Sequence, residues 1–267
     1  VQASRVGGDF YDFIQIDAFR FGIFLGDVAG HGVSAAFIGA LAKMALVMQK
    51  EELGSPVDLM VGMNESLKKV LRAGDYMTGF YGVWAVRDNS FFYARAGHPA
   101  PLLLRASGDL EYLESKGLFI GIFESPQYEL GLSYLNADDR LLMFTDGCFE
   151  LSDSSDKMRL RYADFVDVVK AYSTEKLEDV FYKTKADLLE KVGLDKDWGN
   201  EDDETFTITL SNPVNAALGD DVLPSDAVWL TFDDGYQKFK QVIETETNGR
   251  VEVQIFPGEQ LGTEEQV

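Results

Sequence analysis

The order of strand and helix patterns is the feature that most constrains how this chain of 267 residues can fold. Two apolar runs predict a hairpin, two helix patterns follow it, and a series of strands comes before two further helices and a last strand. The predicted strands are 10–16, 19–25, 77–86, 90–96, 100–105, 110–113, 118–123, 128–132, 140–145 and 205–210, and the predicted helices are 33–52, 55–74, 162–172 and 176–192. Because strands and helices do not alternate, the pattern predicts an α+β fold with largely antiparallel sheets and segregated helices.

The charge of the chain excludes one class of partner. The sequence carries 45 acidic and 24 basic side chains, a formal net charge of −21. An electrostatic field this negative argues against nucleic acid as a partner, because a protein that binds nucleic acid needs a basic binding face. It does not argue against phosphate chemistry, because clustered carboxylates can hold metal ions that reverse the local sign. The hydrophobic content of 46% is enough for a packed core and excludes wholesale disorder.

The cysteine and histidine content and the lack of visible targeting signals exclude further kinds of site and location. Cys148 is the only cysteine, so no intrachain disulfide or cysteine zinc cluster can form, and we interpret it as a packed thiol. His31 and His98 are too few and too far apart for a zinc site, and we interpret His98 as a turn anchor. No apolar run of about 18 residues predicts a membrane span, and no signal peptide is visible at residues 1–13. We therefore expect a cytoplasmic protein.

Several aspartates lie at the ends or edges of predicted strands. Asp9, Asp27 and Asp146 each have a glycine neighbour, and Asp202 and Asp203 directly precede the last strand. Side chains from several strands can converge at such positions, and Mg²⁺ and Mn²⁺ prefer carboxylate oxygens. Two such ions would neutralise the carboxylates, generate a hydroxide and clamp a phosphoryl group. Ordinary Asp-Gly turns and strand caps are the alternative explanation for each aspartate taken alone.

Five motifs occur in the order expected of one family. They are VGGDFYDF at 6–13, GDVAGHGVSAAF at 26–37, AGHPAPLLL at 96–104, FTDGCFE at 144–150 and DDETFTITL at 202–210. Over residues 1–211 the chain resembles the SpoIIE/RsbU-type branch of the metal-dependent serine/threonine protein phosphatases (PPM). The resemblance implies an αββα sandwich, in which helices cover two antiparallel sheets and the metal centre lies at one end.

The resemblance also implies ligands for two Mn²⁺ or Mg²⁺ ions. Asp9 of the first motif would bind one ion. Asp27 would bridge both ions, with the backbone carbonyl of Val28 as a further ligand. Asp146 and Asp202 would hold the other ion.

Three assignments stay open. Glu204 occupies a place that is usually apolar in the last motif, so Asp203 remains the alternative to Asp202. Arg5 lies four residues before Asp9, where the eukaryotic branch has a phosphate-contacting arginine, but a surface arginine is an equal interpretation. His31 is a candidate proton donor to the leaving oxygen, although a role at the helix entry fits its position better.

The resemblance implies a reaction and a set of partners. The reaction is hydrolysis of phosphoserine or phosphothreonine on a protein by in-line attack of a metal-activated water. The implied substrate is a phosphorylated anti-sigma-factor antagonist of the STAS type in a bacterial signalling pathway, and the helices at 33–52 and 55–74 would contact regulatory elements. Since the first motif begins almost at residue 1, we expect an upstream sensor domain in a longer protein, or a separate regulator. A homodimer is a further expectation.

The last part of the chain differs from the rest, and two alternative functions stay open. Residues 212–225 are a predicted linker, and residues 226–267 are a tail with a different character. Residues 239–267 resemble the start of a TRAP-type solute-binding protein, which makes a periplasmic solute receptor one alternative function. The missing signal peptide and ligand cleft argue against it. A catalytically weak scaffold of the phosphatase fold, acting through partner binding, is the other alternative.

Overall fold

The computed structural model describes residues 8–30, 32–149 and 160–175, short stretches between 183 and 191, and the strand backbone at 206–211, 228–229 and 252–257. The strands are β1 Phe10–Gln15, β2 Arg20–Val28, β3 Met77–Ala85, β4 Ser90–Ala96, β5 Leu102–Leu104, β6 Leu110–Tyr112, β7 Gly131–Tyr134, β8 Arg140–Met143, β9 Phe206–Ser211, β10 Val228–Trp229 and β11 Glu252–Pro257. The helices are α1 Val33–Met48, α2 Pro56–Lys68 and α3 Tyr162–Ala171, with a short 3₁₀ turn at Asp146–Cys148. The described residues between 183 and 191 are also helical.

The strands form two antiparallel sheets. The first has the order β10-β1-β2-β3-β4-β7, and the second has the order β11-β9-β8-β5-β6. Each strand pair described within them is antiparallel. The predicted α+β class with antiparallel sheets is therefore confirmed.

Three layers of apolar side chains hold the sandwich together. One layer lies between the helices α1 and α2 and the first sheet, where Phe24 and Leu46 are fully buried. A second layer, which includes Ile23, lies between the two sheets. A third lies between the second sheet and α3, and includes Phe165. Because neighbouring residues of β2 such as Ile23 and Phe24 point into different layers, the strand is apolar on both faces, and residues 21–25 form a continuous apolar run.

One predicted strand is wrong and one is displaced. The run at 118–123 makes only an isolated bridge, between Ile120 and Met77. Gly121 has a φ of +101°, which a strand does not accommodate, and its N–H donates a hydrogen bond to the Asn64 side chain of α2. The run predicted at 128–132 becomes β7, which begins only at Gly131.

Two short segments of the tail take part in the sheets. The backbone of β10 pairs with β1 at the edge of the first sheet, and the backbone of β11 pairs with β9 at the edge of the second. The predicted linker at 212–225 lies outside the described residues. Within the part of the chain that the structure describes, no helix combines the length and the apolar character that a membrane crossing requires.

Candidate metal centre

Three of the predicted aspartates come from strand ends on one side of the sandwich. Asp9 immediately precedes β1, and Asp27 is the next-to-last residue of β2. Phe10 pairs with Gly26 in the antiparallel register, so the next position along the hairpin places Asp9 opposite Asp27. Asp146 begins the 3₁₀ turn that follows β8 in the second sheet. The two sheets thus supply carboxylates to the same end of the molecule.

The electrostatic surroundings of Asp9 include the carboxyl groups of both Asp27 and Asp146. Its pKa is held well above the usual range, first by burial and then by the negative charge of Asp27. A hydrogen bond with Asp27 and the charge of Asp146 raise it further, whereas the hydroxyl of Thr145 lowers it. A hydrogen bond between two carboxyl groups needs a shared proton. A bound cation would meet the same need for positive charge.

The donor set fits a hard divalent cation. It consists of carboxylate oxygens with a hydroxyl beside them, which are ligands that Mg²⁺ and Mn²⁺ prefer. Thr145 is only 1% exposed, and its Oγ1 lies near Asp9 without a hydrogen bond of ordinary geometry within the described residues. No three acidic, histidine or cysteine side chains among those residues surround a single point closely enough to hold one ion. Asp202 and Asp203, the remaining predicted ligands, lie outside the described part of the chain.

Val28 is buried at the end of β2, and Gly8 allows the segment before β1 to approach it closely. A Cβ on Gly8 would lie 2.7 Å from the Val28 Cβ and 3.1 Å from the Val28 carbonyl oxygen. The carbonyl oxygen of Gly8 in turn faces Gly39, where an added Cβ would lie 3.3 Å from it. These close approaches pack α1 directly against the segment that carries Asp9. The glycine before Asp9 is thus required by packing, which its motif alone did not indicate.

The other predicted residues are placed as follows. Cys148 is buried and forms no disulfide, as expected of a packed cysteine. His98 is fully buried and hydrogen-bonded through both ring nitrogens, to Thr78 and to the carbonyl of Phe144. Sequence reasoning missed this pairing, because a Gly-His-Pro motif indicates a turn and gives no sign of distant partners. Arg5 and His31 lie outside the described residues.

The fold is that of a PP2C-type domain. Residues 17–209, more than half of the chain, match the family model described as Stage II sporulation protein E (SpoIIE). The chain therefore belongs to the SpoIIE family.

Two curated relatives come from Bacillus subtilis (strain 168). Phosphoserine phosphatase RsbP is 32% identical over 152 residues, which cover 55% of this chain and 38% of the relative. Phosphoserine phosphatase RsbU is 29% identical over 151 residues, which cover 56% of this chain and 45% of the relative. The match thus spans less than half the length of either relative.

Two solved structures have the same fold. The structure of the RsbU and RsbW domains of Rv1364c from Mycobacterium tuberculosis superimposes with a TM-score of 0.59 at 26% identity, and covers 72% of this chain and 53% of that one. The SiaA-PP2C domain of Pseudomonas aeruginosa superimposes with a TM-score of 0.63 at 21% identity, and covers 76% of this chain and 79% of that one. The αββα sandwich predicted from the motifs is therefore confirmed.

Proposed function

We propose that this protein hydrolyses phosphoserine or phosphothreonine on a signalling protein in a reaction that depends on divalent cations. The observation that carries the proposal is the convergence of Asp9, Asp27 and Asp146 at one end of a SpoIIE-family domain. Burial and mutual repulsion make these carboxyl groups hard to ionise together without a cation. Two relatives named as phosphoserine phosphatases support the same reaction class.

We assign the ligands to two Mn²⁺ or Mg²⁺ ions. Asp9 and Asp27 would hold one ion, and Asp27 and Asp146 would hold the other with a last ligand from Asp202 or its alternative Asp203. The Val28 carbonyl would be a further ligand beside Asp27. This division is compatible with a described region in which no three carboxylates surround one point. When bound, the ions supply Lewis-acid chemistry that lowers the pKa of water and neutralises phosphate charge.

The side chains around the carboxylates prepare the site for this chemistry. The raised pKa of Asp9 favours a proton on its carboxyl group, hydrogen-bonded to Asp27, and a bound cation would take the place of that proton. The Thr145 hydroxyl favours the ionised form of Asp9, and so assists the release of that proton. The buried surroundings strengthen each of these electrostatic interactions relative to water.

The partners follow from the family. We propose that the substrate is a phosphorylated STAS-type anti-sigma-factor antagonist, that the protein acts in the cytoplasm, and that a sensor domain or separate regulator controls it. Arg5 is the candidate phosphate contact. A homodimer remains part of the proposal.

The test is metal-dependent turnover of a small phosphomonoester, p-nitrophenyl phosphate, followed with and without Mn²⁺. Asp27→Asn and Asp146→Asn should each lower turnover by about 100-fold or more, because several kcal/mol of transition-state charge stabilisation is lost. Asp167→Asn is the matched control, since Asp167 is exposed on α3. Equal turnover in all three variants would show that the aspartates do not carry the reaction.

The catalytically weak scaffold makes a different prediction for the same samples. Calorimetry should then show Mn²⁺ binding that Asp27→Asn abolishes, without turnover of either a small phosphomonoester or a phosphorylated STAS-type protein. Adding the regulator would not restore turnover under this alternative, whereas it would activate a phosphatase held in an inactive state.

A further inference from the structure

The motif around His98 has no role in the reaction proposed above. The histidine follows β4 of the first sheet and precedes β5 of the second, at the point where the chain crosses between the sheets. Its side chain is fully buried. A fully buried histidine needs a reason, because an imidazole withdrawn from water must find hydrogen-bond partners inside the protein.

Both ring nitrogens of His98 have such partners, one in the first sheet and one directly after a strand of the second. Nδ1 lies 2.8 Å from the hydroxyl oxygen of Thr78 on β3. Nε2 lies 3.1 Å from the carbonyl oxygen of Phe144, directly after β8. A carbonyl oxygen only accepts, so Nε2 carries the proton and Nδ1 accepts the hydroxyl proton of Thr78. The neutral imidazole therefore bridges the two sheets.

The two ends of this bridge lie next to proposed metal ligands. Thr78 is the antiparallel register partner of Asp27 on β2. Phe144 is separated from Asp146 only by Thr145. A displacement of the imidazole would therefore change the separation between the strand beside Asp27 and the turn that begins at Asp146.

The surrounding structure holds the imidazole in place. Arg95 on β4 donates one hydrogen bond to the carbonyl of His98 over 2.7 Å and another to the carbonyl of Ser115 over 3.0 Å. Gly97 has a φ of +69°, which favours glycine and turns the chain inward just before the histidine. Burial also lowers the pKa of His98 to about 3, so the neutral form persists at physiological pH.

We propose that His98 is a positioning residue, which sets the separation of Asp27 and Asp146 through Thr78 and the Phe144 carbonyl and thereby determines the affinity of the site for divalent cations. The inference rests on the proposed function, because it assumes that these carboxylates bind a cation. Outer-shell partners of metal ligands commonly change metal affinity by about 10- to 100-fold when they are removed.

The test compares two substitutions of Thr78 that differ in the hydroxyl. Thr78→Val removes the hydrogen bond to Nδ1 while nearly keeping the shape of the side chain, and Thr78→Ser keeps the hydroxyl. His98→Phe removes both bonds. Thr184→Val is the matched control, since it removes another buried hydroxyl, in the helical stretch between 183 and 191. The dissociation constant of Mn²⁺ is measured by calorimetry, and the unfolding temperature is measured without metal.

We expect Thr78→Val and His98→Phe to raise the Mn²⁺ dissociation constant by about tenfold, and Thr78→Ser and Thr184→Val to leave it near the wild-type value. Turnover of Thr78→Val should return to near the wild-type rate at saturating Mn²⁺, because the reacting groups are intact. If His98→Phe does not fold, the two Thr78 variants still decide the question.

Two outcomes separate this inference from the proposed function. If the wild-type chain binds Mn²⁺ and Thr78→Val binds it equally well with a lower unfolding temperature, the bridge is merely structural and the inference is wrong. If the wild-type chain itself binds no Mn²⁺, the proposed function is wrong and the inference is overturned with it.

Discussion

Asp12 on β1 and Lys43 on α1 form an ion pair across the interface between the first sheet and the helix that covers it. The Asp12 side chain is only 3% exposed, whereas that of Lys43 is 36% exposed. Burial raises the pKa of Asp12, and the charge of Lys43 opposes that rise. The lysine therefore compensates a carboxylate that would otherwise be buried without a counter-charge, three residues from Asp9.

Replacing Lys43 should destabilise the protein in a pH-dependent way. We expect Lys43→Met to lower the free energy of unfolding by about 2 kcal/mol at neutral pH, less than for a fully buried pair because Lys43 is partly exposed. The pKa of Asp12 in the folded state is raised, and loss of Lys43 raises it further. As the pH falls through that pKa, the carboxyl becomes neutral, so the difference between variant and wild type should shrink.

Urea unfolding at neutral and mildly acidic pH measures this difference, and Lys50→Met is the control, since Lys50 is exposed just beyond α1. A difference that grows on acidification would contradict the interpretation.

Gly8 should not tolerate a methyl group. The Cβ of Gly8→Ala would lie 2.7 Å from the Val28 Cβ, so either the segment carrying Asp9 or the end of β2 must shift. We expect a destabilisation of about 1–3 kcal/mol and weaker Mn²⁺ binding. Gly54→Ala is the control, because its Cβ would meet only the flexible side chain of Arg20. Thermal unfolding and calorimetry report the two effects, and equal results for both variants would refute the packing argument.

His98 should make the protein sensitive to acid. Its pKa is about 3 in the folded state, against an ordinary value of 6.5, so the unfolded chain takes up a proton first as the pH falls. The stability that this neutral histidine contributes is complete above pH 6.5 and is lost progressively towards pH 3, by at most about 1.4 kcal/mol per pH unit.

Nitrogen NMR of the imidazole checks this directly, because the chain has only two histidines. We expect one of them to remain neutral, with its proton on Nε2, at pH values where an exposed histidine is charged. Ordinary titration of both histidines would contradict the buried bridge.

Divalent cations should stabilise the folded state and displace a proton. Asp9 shares a proton with Asp27, and a cation would replace it. At 100 times the dissociation constant, Mn²⁺ should add about 2.7 kcal/mol to the free energy of unfolding, and a chelator should reverse the gain. Thermal unfolding in parallel with proton release in weak buffer measures both. An equal gain in Asp9→Asn would place the ion elsewhere.

Removal of the tail should affect the sheet edges more than the metal centre. All predicted ligands lie within residues 1–211, so a chain ending at residue 225 should keep its Mn²⁺ affinity. It would lose the backbone of β10 and β11, which leaves β1 and β9 as unpaired edges. We therefore expect greater self-association in light scattering. Loss of Mn²⁺ binding would instead make the tail part of the catalytic unit.

The secondary structure could be predicted where local signals were sufficient. The first hairpin and the helix at Pro56–Lys68 follow from apolar runs, a turn between them and a proline at the helix start. The run at 118–123 is equally apolar but forms no strand. Its conformation depends on Asn64 of α2, which is 57 residues from Gly121 and accepts a hydrogen bond from its N–H. No local pattern contains that contact.

The candidate ligands could be predicted from the sequence, because carboxylates beside glycines at strand ends are a local property of Asp9, Asp27 and Asp146. Which of these groups meet, and what surrounds them, depends on how the two sheets pack against each other. His98 illustrates the difference, since its partners lie 20 and 46 residues away in the two sheets. Burial and hydrogen-bond geometry arise only when the sheets pack together, so a motif that indicates a turn becomes, in the folded protein, a bridge between them.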